Sequence, residues 1–388
     1  MHPIRPNAPG GRIRGCHEAL SRGNHHSRSP FVRVRDPCGR AVGSKHAILT
    51  AGLHTNDLGV MVVRPGLEAV LVVRNGQSCI RALACSLRPQ MGLIKRLIAV
   101  DNASEDKSVQ VIASEIPEAD IVRSAANTGV AAGFNTGLKL GWEPYVLLLT
   151  QDVVLGDRCI SGLLRVMTGD ATIGVAGCKL LYEDGITVQH SGGRILYPIA
   201  APIQIGRWER DCGQYDILRE VDYVTGAVAL IRRRVFDVLG GFDEGFFPAY
   251  YEDTDFCFRA REMGFKVVYV PSAVAIHRER SVMGKFSYAH YLSHHRNRLR
   301  FVFKHLSLVQ LVEDFLAEEV RSVETTRMCS NEAKALEEAY SQTYRLPSTC
   351  SCKESAIDSI LTALQQLITT CGFNICDDVM TIRRLEQR

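Results

Sequence analysis

Apolar positions fall into a regular pattern only from Leu67 onward, where short hydrophobic runs alternate with stretches of helical spacing. Val70–Val73, Leu97–Val100, Ile121–Val122 and Tyr145–Leu149 read as strands, and Cys79–Leu87, Ser108–Ser114 and Ala131–Leu140 as helices between them. Strands that are apolar throughout, separated by helices, predict an α/β sheet with parallel strands and helices on its faces. Two glycines, Gly133 and Gly137, sit inside the Ala131–Leu140 helix. Each lowers helix propensity by up to ~1 kcal/mol, so a close backbone approach by a neighbour or a ligand is expected there. Residues Gly174–Arg194 and Val221–Arg232 read as strands and turns, broken at Gly192-Gly193 and Gly226. Asp253–Met263 is a helix stopped by Gly264, and Val274–Ile276 a strand that ends on His277. Helices are then predicted around Arg296–Lys304, over Leu306–Val320, and over Ile357–Ile368 with apolar residues at i, i+3 and i+4.

Composition narrows the class. The 388 residues are 46% hydrophobic, enough for a large buried core. Lys+Arg 46 against Asp+Glu 42 leaves a net charge of +4, too balanced to make nucleic acid a general partner. No run approaches the ~18 apolar residues of a membrane-spanning helix. The first 66 residues are rich in Arg, His, Gly, Pro and Ser, and read as a disordered tail without a signal-peptide apolar core. The 13 cysteines are scattered, several of them (Cys178, Cys257) in apolar or helical patterns, which favours reduced thiols in a cytoplasmic protein. Cys350, Cys352, Cys371 and Cys376 have C-x-C and C-x4-C spacing that zinc can use, though without two C-x2-C knuckles.

Three carboxylates beside two aromatic rings, Tyr250-Tyr251-Glu252-Asp253-Thr254-Asp255, form the densest concentration of chemistry. Helix capping, worth ~0.3–1 kcal/mol, accounts for one of these acids but not for three. Helix amides lower a carboxylate pKa and like-charged neighbours raise it, so the cluster can hold a general base. Asp152 closes an apolar strand and supplies the hard oxygen ligand that a divalent cation on a diphosphate requires. His277, also at a strand end, is a candidate second ligand, and an imidazole favours Mn2+ over Mg2+. Asp101, followed by Asn102-Ala103-Ser104, is suited equally to a nucleobase or ribose contact and to an ordinary turn. Asn127, Gly129 and Gly133 invite comparison with dinucleotide-binding glycines, but the first strand is not followed by G-x-G-x-x-G, which counts against a dehydrogenase.

Taken in order, Val70–Asn75, Val100–Ser104, Asn127–Gly137, Leu147–Asp152, Gly177–Gly185, Ser191–Gly193, Val221–Gly226, Gly240–Asp243, Glu252–Arg259 and Val268–His277 resemble the family 2 glycosyltransferases, especially their rhamnosyltransferase-like branch. The resemblance implies a GT-A fold, a Rossmann-like mixed sheet flanked by helices, over residues 67–305, with a helical extension over 306–388. It implies that Asn75 and Asp101 contact the nucleotide, and that Asn127, Gly129 and Gly133 border the nucleotide-sugar. Asp152 becomes the metal-binding acid, His277 a further metal ligand, and Asp253 the catalytic base, supported by Glu252 and Asp255. Two departures stand out: Val73-Arg74-Asn75 replaces the family's frequent Thr-Tyr-Asn, and Thr150-Gln151-Asp152 keeps one carboxylate of the D-x-D element.

The expected reaction is inverting transfer from a nucleoside diphosphate sugar, dTDP-rhamnose-like or a UDP-sugar, with Mg2+ or Mn2+, to a hydroxyl of a glycan or lipid-linked acceptor in cell-envelope polysaccharide synthesis. The rivals are a carboxylate-pair glycoside hydrolase and a degenerate nucleotide-sugar-binding protein. The basic-aromatic stretch Arg296–Lys304 either lies on the inner face of an anionic membrane or covers the catalytic domain, and Ile357–Ile368 either docks on the core or pairs two subunits.

Overall fold

A computed structural model describes residues 53–55, 61–63, 65–279, 284, 286–342, 351–371 and 374–375. Apart from two short strands and residues 65–66, the expected N-terminal tail lies outside the described residues, as do the side chains of Cys350, Cys352, Cys371 and Cys376. The seven cysteines whose side chains are described are free thiols.

The chain runs β1 (Leu67–Val73), α1 (Ile80–Leu87), β2 (Arg96–Asp101), α2 (Ser108–Glu115), β3 (Ala119–Arg123), α3 (Gly129–Leu140) and β4 (Tyr145–Thr150). Next come β5 (Val153–Leu155), α4 (Cys159–Gly169), β6 (Ile173–Leu181), β7 (Val188–His190), β8 (Gly193–Leu196), β9 (Ala201–Gln204) and β10 (Arg219–Glu220). Then follow β11 (Val228–Arg232), α5 (Arg233–Leu239), α6 (Glu252–Glu262), β12 (Lys266–His277) and α7 (Tyr288–His305). After a π-helical turn at Gln310–Phe315 the chain closes with α8 (Leu316–Thr325), α9 (Ser330–Ser341) and α10 (Ser351–Cys371). The predicted single helix from Leu306 is therefore interrupted by that turn, a common local widening of a helix.

One mixed sheet has the order β10-β12-β6-β11-β4-β1-β2-β3, with β5 added to β12 and β7 to β6. Strands β3, β2, β1 and β4 are parallel, whereas β11 runs antiparallel between β4 and β6. Every residue of β1 is buried: Leu67, Ala69, Leu71 and Val73 join the core on one face, Val70 and Val72 the core on the other. This is why Ala69–Val73 reads as an uninterrupted apolar run, while Glu68 before it is buried against Arg233. The glycines of α3 serve packing, because a Cβ at Gly137 would lie 2.3 Å from Val70 Cγ1 and one at Gly133 would lie 2.9 Å from Val72 Cγ1. The helix can approach β1 this closely only without side chains at those two positions.

Helix α7 carries three cations that pair inside the protein. Arg298 pairs with buried Glu319 of α8 through both Nη atoms, one at 2.8 Å, and Tyr340 Oη of α9 donates to the same carboxylate. Arg300 Nη2 reaches both Asp243 oxygens at 2.9 and 3.0 Å, and Lys304 Nζ bridges Asp243 and Asp255 at 2.8 and 2.7 Å. Of the two roles open to this stretch, these pairs support covering the domain. Apolar residues of α8–α10, among them Val323, Leu336, Ile357 and Leu364, belong to the same core cluster as Phe301 and Phe303. None of the described helices is long and apolar enough to cross a membrane.

Burial by itself would raise the Glu319 pKa, but Arg298 outweighs it and holds the carboxyl below its usual range. Removing one partner of a buried pair leaves an uncompensated charge, so Arg298→Met is expected to lower stability by about 3–5 kcal/mol. Arg81→Ala, which breaks a pair between an exposed Arg81 and Glu115, should cost less than about 1 kcal/mol. Urea unfolding of the two variants checks the contrast; equal midpoints would contradict it.

Candidate functional site

The sheet order places a topological switch between β1 and β4, where connections leave toward opposite edges and ligands of open α/β sheets collect. Arg74 follows β1 and Gln151-Asp152 follows β4. The two strand ends are stitched together: Arg74 N donates to Gln151 Oε1 at 2.7 Å, and Gln151 Nε2 donates to Arg74 O at 2.8 Å. The Arg74 guanidinium crosses to the next turn, donating to Asn102 O and Ala103 O at 2.9 and 2.8 Å. Asn102, nearly fully buried, clamps the start of α3 by donating to Gly129 O at 3.0 Å and accepting from Thr128 N at 2.9 Å. Gly129 has φ +86°, a left-handed conformation that glycine adopts without strain, and its N–H donates to Asn127 Oδ1 at 3.1 Å.

These residues border a cavity of about 530 Å³. Asp152 and His277 face it together although 125 positions of sequence separate them, because β12 pairs with β5 so that His277 lies opposite Val153. His277 Nε2 is 3.4 Å from Asp152 Oδ1. The other ring nitrogen, Nδ1, lies 2.7 Å from Gln189 Oε1. Gln189 Nε2 is oriented by His277 O and Glu279 Oε2, both at 3.3 Å, so Oε1 is left to accept from Nδ1–H. The amide behind Nδ1 orients the ring so that Nε2 faces the Asp152 carboxylate: protonated, Nε2 donates to that oxygen, and deprotonated, it can ligate a cation there. Burial of Asp152 would raise its pKa, but hydrogen bonds from His277 and Thr150 and the His277 charge bring it to about 2. A carboxylate and an imidazole nitrogen on one wall fit a Mg2+ or Mn2+ that draws its remaining ligands from diphosphate oxygens and water.

The opposite wall is the acidic turn. Tyr250 and Tyr251 both have positive φ, 77° and 70°, a region costly for side-chain-bearing residues. Asn297 of α7 holds this turn, its Nδ2 donating to Ala249 O and Tyr250 O at 2.8 and 2.9 Å. The turn delivers Glu252 and Asp253 to the first turn of α6, both facing the cavity. Asp253 Oδ2 accepts from Gly226 N at 3.0 Å, and Oδ1 accepts from Thr254 N at 2.7 Å. Burial nevertheless raises its pKa above the usual carboxylate range, against the lowering effect of those amides. Glu252 is buried, and its Oε2 has no hydrogen-bond partner among the described residues. Burial, then the neighbouring Asp253 charge, pushes its pKa well up.

The fold thus brings Asp152, His277, Asn127, Gly129, Glu252 and Asp253 around one cavity. Asn75, Asp101, Gly133 and Asp255 are not among its lining residues. Asn75 shapes the turn behind the cavity, its Oδ1 accepting from Glu105 N at 2.8 Å. Asp101 is fully buried, its Oδ1 accepting from Ser104 N at 3.3 Å and its Oδ2 lying 3.3 Å from Arg123 Nε. Asp255 turns away into the α7 interface, where Arg259 Nε, Lys304 Nζ and His305 Nε2 each lie 2.7 Å from its oxygens. Burial would raise its pKa, but His305, Arg259 and Lys304 hold it far below the ordinary range. The sequence reading missed Arg74, Asn102, Gln189, His290, His294, His295 and Glu332 as lining residues. Arg74 had a signal, since it stands where the resembling family often has tyrosine. The histidines and Glu332 had none.

Comparison with known proteins bears on the family and the fold. Residues 69–240 match the family described as Glycosyl transferase family 2. The chain is 26% identical over 233 residues to the N-acetylglucosaminyl-diphospho-decaprenol L-rhamnosyltransferase of Mycobacterium tuberculosis, an alignment covering 53% of this chain and 74% of that protein. It is also 26% identical over 214 residues to the low-salt glycan biosynthesis hexosyltransferase Agl10 of Haloferax volcanii, covering 53% and 66%. The crystal structure of GalNAc-T7 with UDP, GalNAc and Mn2+ superimposes with a TM-score of 0.50 at 14% identity, covering 80% of this chain and 58% of that one, a likeness of fold. With a GT-A sheet, a cavity at its switch point and a family match that runs through β1 to α5, residues 69–240 of this chain are similar to the family 2 glycosyltransferases.

Proposed function

We propose that the protein transfers a sugar, with inversion at the anomeric carbon, from a nucleoside diphosphate sugar to a hydroxyl of a glycan or lipid-linked acceptor. The observation that carries this reading is the single cavity in which Asp253 faces the Asp152–His277 pair. The donor is dTDP-rhamnose-like or a UDP-sugar, and the product belongs to cell-envelope polysaccharide. The similarity to a rhamnosyltransferase whose name specifies a diphospho-decaprenol supports an acceptor carried on a lipid diphosphate. A cytoplasmic enzyme working against the inner face of the membrane suits such a substrate. The catalytic domain spans residues 67–305, and residues 306–388 extend it.

Asp253 takes the proton of the acceptor hydroxyl while that oxygen bonds to the anomeric carbon, and the carbon–oxygen bond to the diphosphate breaks with its electron pair on the phosphate. The amides of Gly226 and Thr254 hold both carboxylate oxygens in place, so no reorganisation is needed at the moment of transfer. Asp152 and His277 would hold a divalent cation, whose chemistry is to neutralise charge on the departing diphosphate. Arg74, Asn102, Asn127 and Gly129 form the bed for the nucleotide. Asn75 and Asp101 fix the turns behind that bed, and Asp255 anchors the helix that presents Asp253. Burial beside Asp253 disfavours the charged form of Glu252, which suits a hydrogen-bonding role toward the sugar.

A glycoside hydrolase would need no nucleotide, whereas this enzyme should release a nucleoside diphosphate in step with transfer; a panel of dTDP-, UDP- and GDP-sugars separates the two. Asp253→Asn is expected to lower turnover roughly 10²–10⁴-fold while nucleotide-sugar binding persists, and wild-type turnover in the variant would remove Asp253 from the reaction. Asp152→Ala should weaken UDP binding in the presence of Mn2+ by about tenfold or more, or about 1.4 kcal/mol, read by calorimetry; unchanged affinity would contradict its role. Because Asp253 works only when ionised and its pKa is raised, activity should fall with acidification at a pH above the ordinary carboxylate range of about 4. Glu252→Gln should stay within about threefold of wild type while Glu252→Ala loses about tenfold, since an amide keeps the neutral hydrogen bond that alanine removes.

A further inference from the structure

The cavity continues past the acidic turn to a wall that belongs to neither strand end. Tyr250 Oη lies 2.9 Å from His290 Nδ1, the Tyr251 ring packs edge-on against His294 at 5.3 Å, and His294 in turn meets His295 at 5.9 Å. His295 is 91% buried by its 9% exposure, yet neither of its ring nitrogens has a hydrogen-bond partner among the described residues. Across from it, 3.7 Å from Nε2, is Oε1 of Glu332 on α9, and both residues line the cavity. Buried polar atoms left unsatisfied in a cavity wall are costly unless a ligand or water completes them.

Building on the glycosyl-transfer reading, we propose that His295 and Glu332 determine acceptor specificity by binding hydroxyls of a neutral glycosyl unit that carries the attacking oxygen. The 3.7 Å separation is too long for a direct hydrogen bond and leaves room for one hydroxyl between the groups. A hydroxyl satisfies both at once: it accepts from the imidazole N–H and donates to the carboxylate. The Tyr291 ring lies nearly parallel to His295, 17° apart at 6.4 Å, adding an aromatic surface of the kind that packs against the C–H face of a sugar. An anionic group would fit poorly here, because the carboxylates Glu332, Glu279 and Asp253 share the cavity and Arg207 already faces Glu279 at 4.0 Å. Glu332 lies well beyond residue 240, where the family match ends, so the helical extension carries part of the substrate choice.

The test uses the full chain, a nucleotide-sugar that the wild type turns over, and octyl glycosides of glucose, N-acetylglucosamine and rhamnose as acceptors. Glu332→Ala is expected to raise the acceptor KM about tenfold or more, with donor KM and the rate of donor hydrolysis in water within about twofold of wild type. Glu332→Gln should show a smaller rise, and His295→Gln should parallel Glu332→Ala. Methyl glycosides should compete for the acceptor site and methyl phosphate should not. Unchanged acceptor KM in Glu332→Ala overturns the inference, as does parallel loss of hydrolysis and transfer in both Glu332 variants, or competition by methyl phosphate in preference to the glycosides. A wild-type protein that processes no nucleotide-sugar would instead refute glycosyl transfer itself, and this inference with it.

Discussion

The left-handed turn at Tyr250-Tyr251 is the constraint on which the active arrangement depends. Two consecutive non-glycine residues at positive φ cost roughly 1–3 kcal/mol each, and such a conformation persists only where its surroundings overdetermine it. Here the surroundings are α7: Asn297 holds two carbonyls of the turn, Arg296 donates to Phe247 O, and Lys304 and His305 seize Asp255 one helical turn later. The result is a short helix whose first turn presents Asp253 to the cavity while its other acid is buried in ion pairs. The three carboxylates that look alike in sequence thereby meet different surroundings: Asp253 accepts from two backbone N–H groups, Glu252 is buried with Oε2 unpartnered among the described residues, and Asp255 is held in ion pairs.

The second determinant is the sheet. Parallel strands β1–β4 send their carboxyl ends to one edge, and the switch between β1 and β4 opens the crevice there. Antiparallel β11 then turns the sheet so that β12 returns beside β6, which brings His277 to the same rim as Asp152. One wall of the cavity is thus built from strand ends and the other from loops and helices.

The cationic face of α7 has a mainly internal destination. Arg298, Arg300 and Lys304 meet Glu319, Asp243 and Asp255, so the charge that in sequence could have marked an anionic surface is neutralised inside the fold. Such pairs gain little net energy over apolar packing, but they fix direction, since a mispaired helix would bury an unpaired charge. They tie the extension and the catalytic turn into one unit.

Much of this was legible in the residues. The apolar runs Val70–Val73 and Tyr145–Leu149 betrayed a parallel sheet because both faces are covered, and Asp152 and His277 could be singled out because strands deliver their last side chain to a sheet edge. The density of acids at Glu252–Asp255 announced chemistry, since capping cannot use three. Which acid faces the cavity was decided only by tertiary structure, for neighbours at i and i+2 on a helix point in different directions and meet different partners. Asn102 lines the cavity and Asp101 does not for a similar reason: successive side chains at a strand end turn to opposite sides. His295 and Glu332 carry no local signature, because their meaning arises from two helices packing side by side, and a contact between distant segments is a property of the folded chain, not of either segment.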